Sequence, residues 1–213
     1  MITFFNWFVK ITGWLPQKIV FRTKVYYQDK SVQSAKIKGP AIIVCNHTSL
    51  YDYAAMLFTF FSRTLRFQMA EVLFQKKLLG GFLKAMGGIK VDRNSSDFGF
   101  IEECKEILDK GGVVGIFPEG RLPLEGEEVP LPFKSGAAYL ALYADVPVIP
   151  VFTNGQYFSK KRAKVVIGKP IWAKDLYNDD LSEKENLAVV SEYLRQTVVE
   201  LGKIIDEQKQ EKV

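Results

Sequence analysis

His47 is the only histidine among 213 residues, and Asp52 stands five positions after it. Histidine is the side chain whose ordinary pKa lies closest to neutrality, so it serves readily as a general base. A carboxylate bonded to one ring nitrogen fixes the tautomer and favours the imidazolium that forms when the other nitrogen takes a proton. On a continuous helix, positions five apart do not share a face. The pair therefore works only if His47 occupies a turn and Asp52 the helix after it. The surrounding residues allow this. Ala41 to Cys45 reads as a strand, Asn46 to Ser49 as a polar turn with Thr48 or Ser49 as N-cap, and Leu50 to Ser62 as a helix. Active sites of α/β sheets gather where strand ends meet helix starts. A second reading stays open on these residues alone: a histidine hydrogen-bonded at a helix start, and an aspartate complementing the helix dipole. The chain shows no serine nucleophile elbow and no pair of histidines for zinc, which leaves a hydroxyl of the substrate as the attacking group.

Further strand ends carry ionisable groups. Met86 to Arg93 combines two glycines, a short strand and cations, and Val113 to Phe117 leads into Pro118-Glu119-Gly120-Arg121. Phe133-Lys134-Ser135-Gly136 opens a helix, and Val146-Pro147-Val148-Ile149-Pro150-Val151 is a short apolar strand bracketed by prolines. Arg93, Arg121 and Lys134 could converge on one phosphate, or be cations scattered over the surface.

These motifs need a scaffold that brings strand ends together. Runs rich in β-branched residues at Ala41–Cys45, Leu65–Met69, Gly88–Val91, Val113–Phe117, Pro147–Phe152 and Ala163–Ile167 predict strands. Helix-like stretches at 50–62, 77–86, 97–110 and 134–143 lie between them. Alternation of this kind predicts an α/β domain with a mainly parallel central sheet flanked by helices. Ser182 and Glu185 form a capping box ahead of a stripe from Leu187 to Ile205, with a charged tail, Asp206 to Lys212, expected to fray.

The first segment places Phe4, Phe8, Ile11 and Leu15 at helical spacing, with Trp7 and Trp14 beside them. A helix ending near Pro16 is too short to span a bilayer, and Asn6, Lys10 and Gly13 interrupt its apolar run. Signal-peptide features are missing. The segment either packs on its own domain or lies in the headgroup layer, with Lys10, Lys18, Arg22 and Lys24 meeting anionic lipid. The second reading divides the chain into a membrane-anchoring segment, 1–24, and an α/β domain, 25–213. A net charge of +5 is too small to indicate nucleic acid. Cys45 and Cys104 lack metal-like spacing and are expected to be buried thiols.

Together the segments Asn46–Asp52, Gly87–Arg93, Phe117–Arg121 and Val146–Val151 resemble, in order, the four motifs of the glycerolipid acyltransferase family, specifically the 1-acyl-glycerol-3-phosphate acyltransferases. One departure stands out: the family commonly has Glu-Gly-Thr-Arg-Ser, whereas Arg121 directly follows Gly120 here. The resemblance implies transfer of a fatty-acyl group from acyl-CoA or acyl-carrier protein to a lysophosphatidate hydroxyl. It needs no cofactor beyond that co-substrate and no metal. His47 would be the base, Asp52 its orienting partner, and Arg93, Arg121 and Lys134 phosphate ligands, with Gly120 in the binding turn. Glu119 would position the acceptor hydroxyl or organise the turn. The implied location is peripheral or monotopic, on the cytoplasmic face of the cell membrane. Alternative acceptors are glycerol 3-phosphate or another lysophospholipid; a catalytically silent lipid-binding module is the more distant alternative.

Overall fold

The computed structural model describes residues 1–92, 99–158 and 162–210, with backbone alone for 206–210. Its centre is a seven-stranded sheet in the order β1-β7-β6-β2-β5-β3-β4. The strands are β1 (Lys24–Tyr27), β2 (Ala41–Cys45), β3 (Leu65–Ala70), β4 (Ile89–Val91), β5 (Val113–Ile116), β6 (Val148–Thr153) and β7 (Lys164–Ile167). Neighbours pair in parallel except β6 with β7, so β1 and β7 run against the other five. The mainly parallel α/β architecture expected from the alternation is the one observed.

The helices are α1 (Ile2–Val20), α2 (Asp52–Thr59), α3 (Glu71–Phe74), α4 (Lys77–Met86), α5 (Gly99–Asp109), α6 (Gly136–Ala144) and α7 (Glu183–Gln210), with a 3₁₀ turn at Ala173–Leu176. Strand β2 is buried along its whole length. Ile42 and Val44 join a core with residues of α5, α6 and α7, while Ile43 and Cys45 join a second core with Met56 of α2 and Phe67 of β3. Period-two alternation thus puts one apolar layer on each face of the sheet. Cys45 and Cys104 are buried free thiols. The capping box is made: Ser182 Oγ accepts the Glu185 amide, and Glu185 Oε2 accepts the Ser182 amide.

Several boundaries differ from the sequence expectation. Strand β1 is an addition, a four-residue segment too short to announce itself, ordered by parallel pairing with β7. Single-turn α3 is another. The expected fraying tail instead continues α7 to Gln210, in keeping with strong helix formers there; 211–213 lie outside the described residues. Helix α1 does not end near Pro16 but runs on to Val20. Proline removes one amide bond, and the turns around it are held from below by Gly13, which sits so close to Phe58 that a Cβ would approach its ring to 2.7 Å.

Helix α1 is also inside out. Phe4, Phe8, Ile11, Leu15 and Ile19 are exposed, while Asn6 and Lys10 are buried. Asn6 donates to the carbonyl of Met86 at the end of α4. The Lys10 ammonium donates to the carbonyls of Phe60 (3.3 Å), Phe61 (3.1 Å) and Arg63 at the end of α2. Lys10 therefore does not meet lipid headgroups; it ties together the carbonyls of the turn that follows α2. Among the described residues, no helix is long and apolar enough to cross a membrane.

Burial pulls the Lys10 pKa down to about 8. The unfolded chain then holds that proton more tightly, so this group makes stability rise with pH from about 8 toward the ordinary lysine value. Lys10→Met should leave the carbonyls after α2 without this donor and cost about 2 kcal/mol, a fall in Tm of roughly 4–8 °C. The variant should also lose the alkaline slope. Thermal unfolding followed by circular dichroism from neutral to alkaline pH checks both, and an unchanged Tm would remove Lys10 from this role.

Candidate active site

The chain leaves the sheet at the end of β2, and Asn46 holds that exit. Its side-chain amide accepts the Thr153 amide at 2.7 Å and donates to the Thr153 carbonyl at 2.9 Å, extending the β2–β6 ladder by one side chain. His47 follows. Its backbone amide donates to Glu119 Oε1 at 2.8 Å, and its ring stacks on Phe117, 4.3 Å between centroids and 13° between planes. The turn expected between strand and helix is present, and it lets a pair five residues apart meet: His47 Nδ1 lies 3.0 Å from Asp52 Oδ2.

Asp52 begins α2 and is wholly buried. Oδ2 also accepts the amides of Thr48 at 2.6 Å and Ser49 at 2.8 Å. Oδ1 accepts the Thr48 hydroxyl at 3.2 Å and the Tyr157 hydroxyl at 2.8 Å. Neither Thr48 nor Ser49 caps α2 as expected. The N-cap position is Tyr51, with no side-chain bond, and Asp52 itself reaches back to tie the turn. Since its oxygens accept throughout, the network assigns the proton on His47 Nδ1 and leaves Nε2 as the nitrogen open to a substrate.

Tyr157 is the member that sequence reasoning missed. It sits in the loop after β6, 105 residues from Asp52, and also contacts the Thr153 hydroxyl at 3.0 Å. Burial, and then the Asp52 charge, push its pKa up, so the phenol stays a donor. Gly155 lets this loop close: its φ is +62°, and a Cβ there would lie 2.2 Å from Thr48 Oγ1. Burial likewise keeps the Cys45 thiol protonated beneath the pair, its pKa raised further by Asp52 and Glu119.

Phe117 forms one wall of a cleft of about 290 Å³ at the ends of β3, β4 and β5, where Asp92, Gly120 and Lys134 also line it. Gly120 turns at φ +71°, and a Cβ there would touch the Lys134 side chain at 3.0 Å. Lys134 and Gly120 are thus together. Arg121 is not with them: its guanidinium makes a two-pronged pair with Glu127, both contacts 2.6 Å, at the surface. Arg93 lies outside the described residues. Glu119 is buried and organises the turn through His47; burial raises its carboxyl pKa, opposed by the amides of His47 and Leu131. Among the described residues, no three His, Cys, Asp or Glu side chains gather as metal ligands.

Residues 22–154 match the family model described as Acyltransferase. The chain belongs to that acyltransferase family. The matched stretch holds every candidate residue from His47 to Lys134 and stops before Tyr157. A 1-acyl-sn-glycerol-3-phosphate acyltransferase of Bacillus subtilis is 31% identical over 171 residues, covering 78% of this chain and 83% of that protein. The beta 1-acyl-sn-glycerol-3-phosphate acyltransferase of Homo sapiens is 28% identical over 147 residues, 67% of this chain; the aligned region spans about half (51%) of that protein. In fold, the chain resembles the crystal structure of the 1-acyl-sn-glycerophosphate acyltransferase PlsC from Thermotoga maritima. The TM-score is 0.64 at 23% identity, covering 94% of this chain and 79% of that one.

Removing the Tyr157 hydroxyl while keeping its ring isolates one bond to the buried carboxylate. Tyr157→Phe should lower kcat by roughly tenfold, the value of one hydrogen bond to a charged group, and leave substrate KM near the parent value. Steady-state kinetics beside a thermal melt separates this from misfolding. A parent-like kcat would deny Tyr157 any part in orienting Asp52.

Proposed function

We propose that this enzyme transfers a fatty-acyl group from an acyl thioester, carried by coenzyme A or acyl-carrier protein, to the free hydroxyl of lysophosphatidate, yielding phosphatidate. The observation that carries the reading is the 3.0 Å contact between His47 Nδ1 and a buried Asp52. The names of the curated relatives supply the acceptor.

His47 Nε2 takes the hydroxyl proton as the acceptor oxygen attacks the thioester carbonyl. Asp52 holds the ring in the required tautomer and balances the imidazolium. The tetrahedral intermediate then collapses, the carbon–sulfur bond breaks, and His47 returns its proton to the leaving thiolate. The products are the new ester and the free thiol. Glu119 keeps the His47 backbone in place, and Lys134 at the cleft rim contributes charge for the acceptor phosphate. Arg93 and Arg121 are further phosphate ligands in this reading, Arg121 by exchanging Glu127 for the lipid. Gly120 keeps the turn open beside Lys134. His47→Ala should cut transfer of radiolabelled acyl groups to lysophosphatidate by roughly 10²–10⁴-fold. Transfer at the parent rate would eliminate His47 as the base.

Residues 1–24 anchor the enzyme to a membrane surface in the same proposal, with 25–213 as the catalytic domain. Support comes from the exposed apolar side of α1, continued by Leu78 and Phe82 of α4, where Phe82 packs on Phe5 of α1. Such a band, with tryptophans along it, fits a helix lying in the plane of the interface on the cytoplasmic face. Replacing Phe8, Ile11 and Leu15 together by Ser should weaken flotation with phosphatidylcholine vesicles by at least roughly tenfold without changing Tm. Undiminished flotation would put the lipid contact elsewhere.

A further inference from the structure

A second cleft, of about 380 Å³, opens between the last turns of α1, the far half of α2 and the start of β1. It shares no lining residue with the cleft beside His47. Lys18, Arg22 and Arg162 line it, one from the helix, one from the residue after its C-cap and one from the loop before β7. Among the described residues, none of the three forms an ion pair. Attraction to the negative end of the α1 dipole accounts for cations at Lys18 and Arg22. It does not account for Arg162, which belongs to a different element.

Two other observations point to a ligand. Arg22 has φ +51°, the left-handed conformation that glycine ordinarily supplies after a helix, so a long cation is kept at this wall in spite of backbone strain. Thr23 and Thr59 line the same cleft, and the hydroxyl of each is shut off from water without a hydrogen-bond partner among the described residues. Buried hydroxyls are ordinarily bonded. The cleft also adjoins the apolar side of α1, since Trp14 lines it and lies 4.3 Å from Lys18 Nζ, measured to the ring centroid. Cations and a tryptophan at the edge of an apolar band suit the headgroup layer.

We propose that this cleft binds the phosphodiester headgroup of an anionic membrane phospholipid, apart from the site of the acyl acceptor. The proposal rests on the membrane-surface reading of α1 given above. Two guanidinium groups suit the unesterified oxygens of a phosphodiester, Lys18 adds a point charge, and a threonine hydroxyl donates once its rotamer turns to the ligand. An apolar helix face sets depth in a bilayer but leaves rotation in the membrane plane free. A headgroup held at one end of α1 adds an oriented contact next to the catalytic domain.

The test is flotation of the full chain with vesicles of phosphatidylcholine alone, and with vesicles of equal parts phosphatidylcholine and phosphatidylglycerol. The parent should partition more strongly onto the anionic vesicles. Lys18→Gln, Arg22→Gln and Arg162→Gln should each lower that partition roughly fivefold, leaving phosphatidylcholine binding unchanged. As charge-matched controls, the single changes Lys36→Gln, Lys38→Gln and Lys110→Gln each neutralise one cation just before β2 or β5 and should each retain most of the preference. Thr23→Val, which alters no charge, should also reduce it severalfold. Equal loss in the controls, or full preference in the cleft variants, overturns the cleft while leaving membrane binding intact. Competition by millimolar inorganic phosphate also overturns the proposal, in favour of a free-ion site. Failure of the parent to float with either vesicle sinks the membrane reading and this proposal with it.

Discussion

A carboxylate withdrawn from water must be met by donors on every side, and the burial of Asp52 imposes that demand on the active-site end of the molecule. An unpaired ion in such a place would cost several kcal/mol. Two backbone amides, two hydroxyls and the His47 ring meet it, and each comes with a structural commitment. The amides shape the turn after β2. Tyr157 draws in the loop after β6, and Gly155 gives that loop room. Asn46 and Glu119, though they do not touch Asp52, hold the backbone on either side of the reacting ring. The His47 ring is thereby held in one orientation, as the proposed role of general base requires.

The same helix that begins with Asp52 ends on Lys10. One ammonium closes the carbonyls after α2 and comes from α1, whose other side presents phenylalanine, isoleucine and leucine outward. A helix with Asn6 and Lys10 turned in and a row of large apolar residues turned out departs from the pattern of a water-soluble surface helix. The inward donors meet backbone carbonyls at or just past helix ends, Asn6 Nδ2 that of Met86 and the Lys10 ammonium those of Phe60, Phe61 and Arg63. In this way α1, with its exposed apolar side, is joined to the helix that carries Asp52 by directional bonds rather than by apolar contact alone.

Charge near the cleft is sorted by geometry. Lys134 stands over Gly120, while Arg121, the next residue, is committed to Glu127. The departure from the Glu-Gly-Thr-Arg-Ser pattern coincides with this placement, which leaves Lys134 rather than Arg121 lining the cleft beside Gly120.

Local pattern was enough for much of the fold. Runs rich in β-branched residues announced β2 through β7, the capping box announced α7, and an apolar strand running into Asn-His-Thr-Ser announced a turn that would bring His47 to Asp52. These features depend on neighbours a few residues away, so spacing encodes them. The partners of that pair do not. Tyr157 reaches Asp52 across 105 residues, and Glu119 reaches His47 across 72. Strand β1 exists because β7 lies beside it, and Lys10, read from spacing as an interruption in an apolar face, proved to be its inward anchor. The sequence by itself determined that His47 stands in a turn after a strand and Asp52 in the helix that follows. Only the tertiary structure decided which donors surround Asp52, which cation guards the cleft and which side of α1 faces out, because burial and long-range hydrogen bonding follow from the packing of distant segments.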